Sequence, residues 1–280
     1  MKKIAILGAG GKMGFRISTK IMKNPEYEVK CVEISDTRIK RLAEAGISVV
    51  PMADAICDAD IALLAIPDVL IGKITTEVVP QLKPGCMLFG LDPAAAYAEV
   101  MPIRNDLSYF VAHPNHPSLF NDETGPEAQK DYFGGIAKQC VACALYRGPD
   151  EDYALGEAIA REIYAPVSKT HRITVEQMAI LEPALVETFA STCIAAIKEA
   201  FDKTVEMGVP KEAAMDFLMG HARVQFAVLF GFANFNFSDG ALLAMKQAQD
   251  VIFKSDWKEK IFNVAAVKKS VSDITQAIRK

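Results

Sequence analysis

The sequence predicts an α/β fold in which a doubly wound, mostly parallel sheet fills the first half and an all-helical domain fills the second. Three observations carry this. Residues 4–14 read IAILGAGGKMG, an apolar run feeding directly into Gly8, Gly10, Gly11 and Gly14. Strand-like and helix-like segments then alternate, and the strand-like ones are continuously apolar, as strands covered on both faces are. From DEDYALGEAIAREIYA onward the pattern is helical.

The first element, IAILGAG, reads as a strand, and the FRISTKIM that follows the glycines has helical spacing. Glycine suits this junction because a pyrophosphate must approach the backbone closely, and the helix start offers free N–H donors and positive dipole. The spacing is G-x-G-G-x-x-G, its last glycine one residue later than in the common dinucleotide fingerprint. YEVKCVEIS reads as a second strand ending in Glu33, an acid placed to accept ribose hydroxyls. A carboxylate there repels a 2′-phosphate, so NAD is expected rather than NADP. Arg38, Lys40 and Arg41 downstream read as the solvated face of the next helix, with Ser35 and Asp36 at its N-cap.

The helix around RIKRLAEAG is followed by strand signals in ISVV and ADIALLAIPD. VLIGKITTEVVPQL reads as helix, CMLFGLD as strand, and SYFVAHPN as a strand leaving the sheet. Ligands of open α/β sheets sit beyond the carboxyl ends of the strands, so AIPD (65–68), LDPA (91–94) and HPNHP (113–117) should line one crevice. Ala65, Ile66 and Pro67 are expected beside the nicotinamide ribose. Residues 118–135, rich in Asn, Asp, Glu, Gly and Pro, read as a loop that could act as a lid, and GIAKQCVACALYRG as one more strand.

The domain boundary is expected near residue 150, giving a dinucleotide-binding domain over 1–150 and a helical substrate and dimerisation domain over 151–280. Residues 173–208 carry an apolar pattern longer than most globular helices, interrupted at Pro183. Its Ala, Met and Phe positions read as core or subunit interface, so a homodimer is expected. Asn234, Asn236, Ser238 and Asp239 mark a polar turn between later helices.

At 280 residues, 51% hydrophobic and 24% charged, the chain has the makeup of a soluble two-domain protein. A net charge of −4 and a pI of about 5.7 give no overall field that draws nucleic acid or anionic membrane, so a small-molecule partner is expected. MKK leads straight into strand residues without a secretory pattern, and a cytoplasmic location is expected. No repeat is visible, nor a stretch of about twenty charge-free apolar residues. Cys31, Cys57, Cys86, Cys140, Cys143 and Cys193 lie mostly in apolar runs. The C-x-x-C of Cys140 and Cys143 has no second pair to complete a zinc site and reads as packing.

The chemistry-bearing segment is HPNHP, where His113 and His116 flank Asn115 directly after an apolar strand. Imidazole serves both general acid/base work and metal ligation, and the prolines stiffen the loop. Glu182, in AILEPALVE, has apolar neighbours on both sides and needs a partner if buried. Glu187, five residues on, does not share its face closely, and Glu176, six residues back, reads as lying near the helix start, where acids favour the dipole. His171 reads as surface or capping, and His221, with Arg223 and Gln225 nearby, as core or interface.

With GAGGKMG, VEIS, LLAIPD, LKPG, LDPAAA and HPNHP in hand, the chain resembles the 6-phosphogluconate-dehydrogenase-like superfamily, and most closely its NAD-dependent D-apionate oxidoisomerase group. The first half is also similar to ketol-acid reductoisomerases and prephenate dehydrogenases. The resemblance implies an N-terminal Rossmann domain, a helical C-terminal domain, NAD held at Gly8, Gly10, Gly11, Lys12, Met13, Gly14 and Glu33, and one divalent metal near the nicotinamide. Carried over residue by residue, the metal ligands fall on His113 and Glu182. The chain lacks the D-x-x-x-E helix that holds two magnesium ions in ketol-acid reductoisomerases, which favours a single ion, zinc suiting one imidazole and one carboxylate.

The implied reaction is oxidation of a branched or polyhydroxy sugar acid such as D-apionate, with His116 accepting a proton and Asn115 orienting substrate. The competing readings are a metal-free NAD(P)-dependent dehydrogenase or reductase of a small hydroxy or keto acid, and an NAD(H)-sensing protein.

Overall fold

The computed structural model describes residues 1–276. Seven strands form one sheet: β1 (Lys2–Leu7), β2 (Tyr27–Val32), β3 (Ile61–Leu64), β4 (Met87–Gly90), β5 (Ser108–Pro114), β6 (Gln139–Arg147) and β7 (Val167–Arg172). Their order is β2-β1-β3-β4-β5-β6-β7, with every neighbour parallel except β5 and β6. Strand order reverses beside β1, which places the crevice of a doubly wound sheet at its carboxyl end.

Period-two alternation divides the core between the two faces of the sheet. Ile4 and Ile6 pack on one face with Ile17 and Ile21 of the first helix, while Ala5 and Leu7 pack on the other with Ile71 and Val78. Both faces are buried, which is why β1 and β3 read as continuous apolar runs. On the first face Gly156 lies so close to the Phe110 ring that a Cβ could not be accommodated. The buried Tyr164 hydroxyl donates to the Ala112 carbonyl, tying the helix Tyr153–Ile163 to β5.

Three elements depart from the sequence reading. β5 stays in the sheet, but only its first four residues pair with β4; Ala112, His113 and Pro114 continue along β6 alone. The end of β5 therefore projects beyond the carboxyl edge of β4. β7 lies within the stretch expected to be entirely helical; VSKTHR is a half-exposed, polar edge strand without the apolar alternation that would reveal it. ISVV contributes only an isolated bridge between Cys31 and Val49.

The chain divides compactly into Met1–Glu182 with the segment from Lys268 onward, and Pro183–Val267, rather than near residue 150. The sheet accounts for the difference, because it runs on to Arg172. In the second unit the helices are Ser191–Glu206, Lys211–Leu229, Asp239–Ile252 and Trp257–Ile261. Phe189 stacks on Trp257 at 4.5 Å between ring centroids, with Phe253 and Phe262 beside them. Neither Lys211–Leu229 nor Asp239–Ile252 has a buried residue.

The long apolar helix is continuous from Val175 to Glu206. A capping box formed by Thr174 and Gln177 starts it. Pro183 does not break it; residues Ile180–Ala190 widen into a π-helix, which absorbs the missing N–H. The Thr188 and Ser191 hydroxyls donate to the carbonyls five residues back, Pro183 and Val186. By length and composition alone this helix is long and apolar enough to cross a membrane.

Candidate active site

The glycines act in different ways. Gly8 has φ +83°, and a Cβ there would lie 2.5 Å from the Ala65 carbonyl oxygen. Its N–H and that of Ala9 donate to the Val32 carbonyl at 2.9 and 3.0 Å, which folds the turn back over β2. A Cβ on Gly14 would overlap the Gly8 carbonyl, so the late glycine of the fingerprint is where helix Lys12–Ile21 touches the turn. Gly11 differs. A Cβ there meets nothing closer than 3.4 Å, yet Gly11 lines the cavity beneath the strand ends.

That cavity, of about 460 Å³, is walled by Gly11, Lys12 and Met13, by Ala65, Ile66 and Pro67, and by Leu91, Asp92 and His113. The three loops expected to share one crevice meet here. Arg38 lines it as well, so it is not simply part of a solvated face; Arg41, by contrast, covers the Phe15 ring at 3.8 Å.

Glu33 is buried at the end of β2. One carboxylate oxygen accepts from Gly10 N at 3.1 Å, and the other from Ile34 N and Ser35 N at 2.9 and 3.1 Å. Arg38 Nη1 lies 3.9 Å from the first oxygen. The acid thus shapes the turn in addition to offering a remaining lone pair to a ligand.

His113, from the projecting end of β5, sits between two loops and a helix. Its Nδ1 is 3.0 Å from the Leu91 carbonyl and so carries the proton. Nε2 is 3.5 Å from Glu182 Oε2, and Asp92 Oδ2 is 3.8 Å from Nδ1. In neutral imidazole Nε2 is an acceptor, so two acceptors face each other at this edge. Such an arrangement wants a proton or a cation between them. A backbone carbonyl fixing the far ring nitrogen is also the usual outer partner of a metal-bound histidine.

His116 lies three residues on, at φ +60°, a region few side chains occupy. Nδ1 donates to the Phe133 carbonyl at 3.0 Å, and the ring packs 5.0 Å from the Phe133 ring. The His113 and His116 rings approach edge to face at 6.4 Å. Asn115 N donates to Cys140 O at 2.9 Å, and its side chain is exposed.

The sequence reading missed the support of His116. Asp131 accepts from the backbone N–H groups of Phe133, Gly134, Ile136 and Ala137, at 2.8–3.3 Å, winding residues 131–137 into a compact turn. Burial pushes this carboxyl up, but the four donors outweigh that and hold it below the ordinary carboxylate range. Lys12 Nζ lies 4.1 Å from the Phe133 ring centroid, and Arg16 Nη1 donates to the Phe133 carbonyl at 3.1 Å. The only sequence signal was an acid preceding a glycine pair in DYFGG.

Other flagged residues lie elsewhere. His171 is on β7. His221 stacks on Phe217 and lines an apolar cleft of about 550 Å³ in the second unit, with Phe201 and Gln225. Ser238 caps the helix Asp239–Ile252 through Ala241 N. Cys140 and Cys143, three apart on β6, point to opposite faces, and burial pushes the Cys143 thiol up to about 12, so they form no paired site.

Comparison with known proteins agrees with this geometry. Residues 1–120 match the model of the acetohydroxy acid isomeroreductase NADPH-binding domain, and residues 121–275 that of the phosphogluconate dehydrogenase (decarboxylating) C-terminal domain. D-apionate oxidoisomerase of Cupriavidus necator is 47% identical over 98% of this chain and 99% of its own. The chain belongs to the D-apionate oxidoisomerase family. The Rhizobium rhizogenes member is 45% identical over 98% of this chain and 100% of its own. A crystal structure of a semialdehyde dehydrogenase NAD-binding protein from C. necator, in complex with calcium and NAD, matches at 47% identity with a TM-score of 0.96, covering 98% of this chain and 100% of that one. Family membership makes the chain an enzyme of an NAD-dependent oxidoreductase class, with a Rossmann-like first half and a helical C-terminal region.

Proposed function

We propose that this enzyme oxidises D-apionate, a branched sugar acid, with NAD and rearranges the carbon skeleton of the product, assisted by one divalent cation. The observation that carries the reading is the His113–Glu182 pair at the edge of the dinucleotide cavity. Its donor set, one imidazole nitrogen with its tautomer fixed and one carboxylate oxygen, suits a divalent ion that keeps further positions for substrate oxygens. Zinc matches such nitrogen and oxygen ligands.

When bound, NAD takes up the hydride and the cation stabilises negative charge on substrate oxygen. The protein does the rest. Gly8, Gly10 and Gly14 shape the turn that leaves Gly11, Lys12 and Met13 facing the diphosphate, and Ala65, Ile66 and Pro67 form the opposite wall. Glu33, negatively charged and anchored by three backbone donors, favours a bare 2′-hydroxyl over a 2′-phosphate. His116, its Nδ1 committed to the Phe133 carbonyl, offers Nε2 to take the hydroxyl proton as the carbon loses hydride. Asn115 orients the substrate from the same loop. The carbonyl formed then receives the migrating carbon substituent while the neighbouring tertiary hydroxyl becomes the new carbonyl.

The exposed apolar helices of the second unit support a homodimer, the opening residues without a secretory pattern support a cytoplasmic location, and the net charge of −4 disfavours nucleic acid and anionic membrane as partners. The functional test is incubation of the purified, metal-replete protein with NAD and D-apionate. NADH should form, together with a product two hydrogens lighter than the substrate whose carbon skeleton is rearranged. Absence of NADH formation overturns the reading.

A metal-free dehydrogenase is the second reading, favoured by the fact that an imidazolium at His113 would pair directly with Glu182 at 3.5 Å. Activity that survives complete chelation decides for it.

A further inference from the structure

Arg16 lies one turn along the helix that begins at the glycine turn, and its guanidinium is used incompletely. Nη1 donates to the Phe133 carbonyl at 3.1 Å, but Nε and Nη2 are shielded from solvent with no hydrogen-bond partner among the described residues. Burial weakens its hold on the proton, and Asp131 compensates only in part. A cation held this way is costly, and an apolar side chain of similar length would often be as stable. The one hydrogen bond it makes is therefore where its role is to be sought.

The acceptor it uses is the informative part. The Phe133 carbonyl has two lone pairs; Arg16 takes one and His116 Nδ1 the other. The same residue's ring packs against the imidazole, and Arg16 Cζ lies 5.4 Å from its centroid. Gly135, at φ +125°, carries the turn past the guanidinium in a backbone state that favours glycine. His116 itself is held at a positive φ directly before Pro117, a backbone state that needs outside support.

We propose that Arg16 is a positioning residue for His116: by fixing the Phe133 carbonyl it holds the imidazole with the proton on Nδ1 and the Nε2 lone pair free toward the substrate. Because Arg16 and Lys12 share one helix, the turn that holds the dinucleotide and the loop that holds the proton acceptor are braced against each other through Phe133. This rests on the reading of His116 as the proton acceptor.

The test uses the full-length, metal-replete enzyme with NAD and D-apionate. The variant Arg16→Met keeps the aliphatic stem and removes every donor, and Arg16→Lys keeps the positive charge and one donating nitrogen. Ring ¹⁵N spectra report the tautomer of His116, assigned by comparison with His116→Asn among only four histidines in the chain. In the parent enzyme His116 should be a single Nδ1–H tautomer. In Arg16→Met it should become a mixture, with kcat down about tenfold or more, as for loss of outer partners of functional histidines, and KM for both substrates little changed. Arg16→Lys should recover part of kcat together with the single tautomer.

A parent-like kcat or an unshifted tautomer in Arg16→Met overturns the proposal. If that variant does not fold, Arg16→Lys decides: kcat down about tenfold or more while His116 keeps the parent tautomer overturns the proposal equally. Full activity in His116→Asn removes the proton-acceptor reading instead, and the ring spectrum of Arg16→Met then decides the coupling on its own.

Discussion

His113 Nε2 stands 3.5 Å from Glu182 Oε2 while Nδ1 of the same ring is 3.0 Å from the Leu91 carbonyl. A cation joining the two side chains would make both indispensable to turnover, yet neither belongs to the glycine turn. His113→Ala and Glu182→Gln should therefore reduce D-apionate oxidation to background while NAD affinity, followed by calorimetry, stays close to that of the parent. Dialysis against a strong chelator should have the same effect on turnover, and a divalent ion added back should reverse it in the parent alone. Retained turnover in His113→Ala would remove the metal role.

Gly11 and Gly14 separate ligand approach from folding. A Cβ on Gly14 overlaps the Gly8 carbonyl, whereas one on Gly11 meets only ordinary contacts and lies at the cavity wall. Gly14→Ala is expected to destabilise the protein by about 1–3 kcal/mol through overpacking, read as a lowered melting temperature without NAD. Gly11→Ala should melt close to the parent without NAD but lose the stabilisation that NAD confers. Equal behaviour of the two variants would contradict the division.

Much of this site was legible because its residues sit at strand ends. Apolar β1, β3 and β4 announce the sheet, and the polar residues that interrupt them, in AIPD, LDPA and HPNHP, fall together by topology alone. Pairing His113 with Glu182 was not legible from spacing, since 69 positions separate them; it came from resemblance. β7 escaped because an exposed edge strand needs no apolar face, and Arg16 and Asp131 escaped because their partners are backbone atoms of a loop. The sequence reads Glu33 as a ribose ligand, and its three bonds to backbone N–H groups follow from the turn's geometry and leave no trace in the residue pattern.

Asp131 makes the loop bearing Phe133 sensitive to acid. Its carboxyl titrates below the ordinary range because, despite burial, four backbone donors favour the charged form. A depressed folded-state value contributes stability above the unfolded value of about 3.9, and that contribution disappears as pH falls through the lowered one. Amide exchange at residues 133–137 should accelerate below about pH 4 before the sheet opens. Asp131→Asn, which exchanges one accepting oxygen for a donor, should accelerate it already at neutral pH and destabilise the turn by about 1–2 kcal/mol. Unchanged protection in that variant would show that the turn holds without the carboxylate.

The second unit leaves large apolar side chains uncovered, among them Phe217 at 69% exposure, Phe230 at 67% and Leu243 at 56%. The helices Lys211–Leu229, which Phe230 caps, and Asp239–Ile252 have no buried residue, although soluble monomers rarely leave extensive apolar patches open. Two coverings are available, a second copy of the chain or a lipid phase reached through the apolar stretch Val175–Glu206. Glu182 and Glu187 interrupt that stretch, and an ionised carboxylate at bilayer depth is costly, which favours the second copy. Light scattering without detergent should give the mass of a dimer that persists on dilution, consistent with an obligate interface above about 2,000 Å². Phe217→Glu, placing a charge in that face, should shift the mass toward monomer and lower the melting temperature. A detergent-free parent at monomer mass would overturn the homodimer.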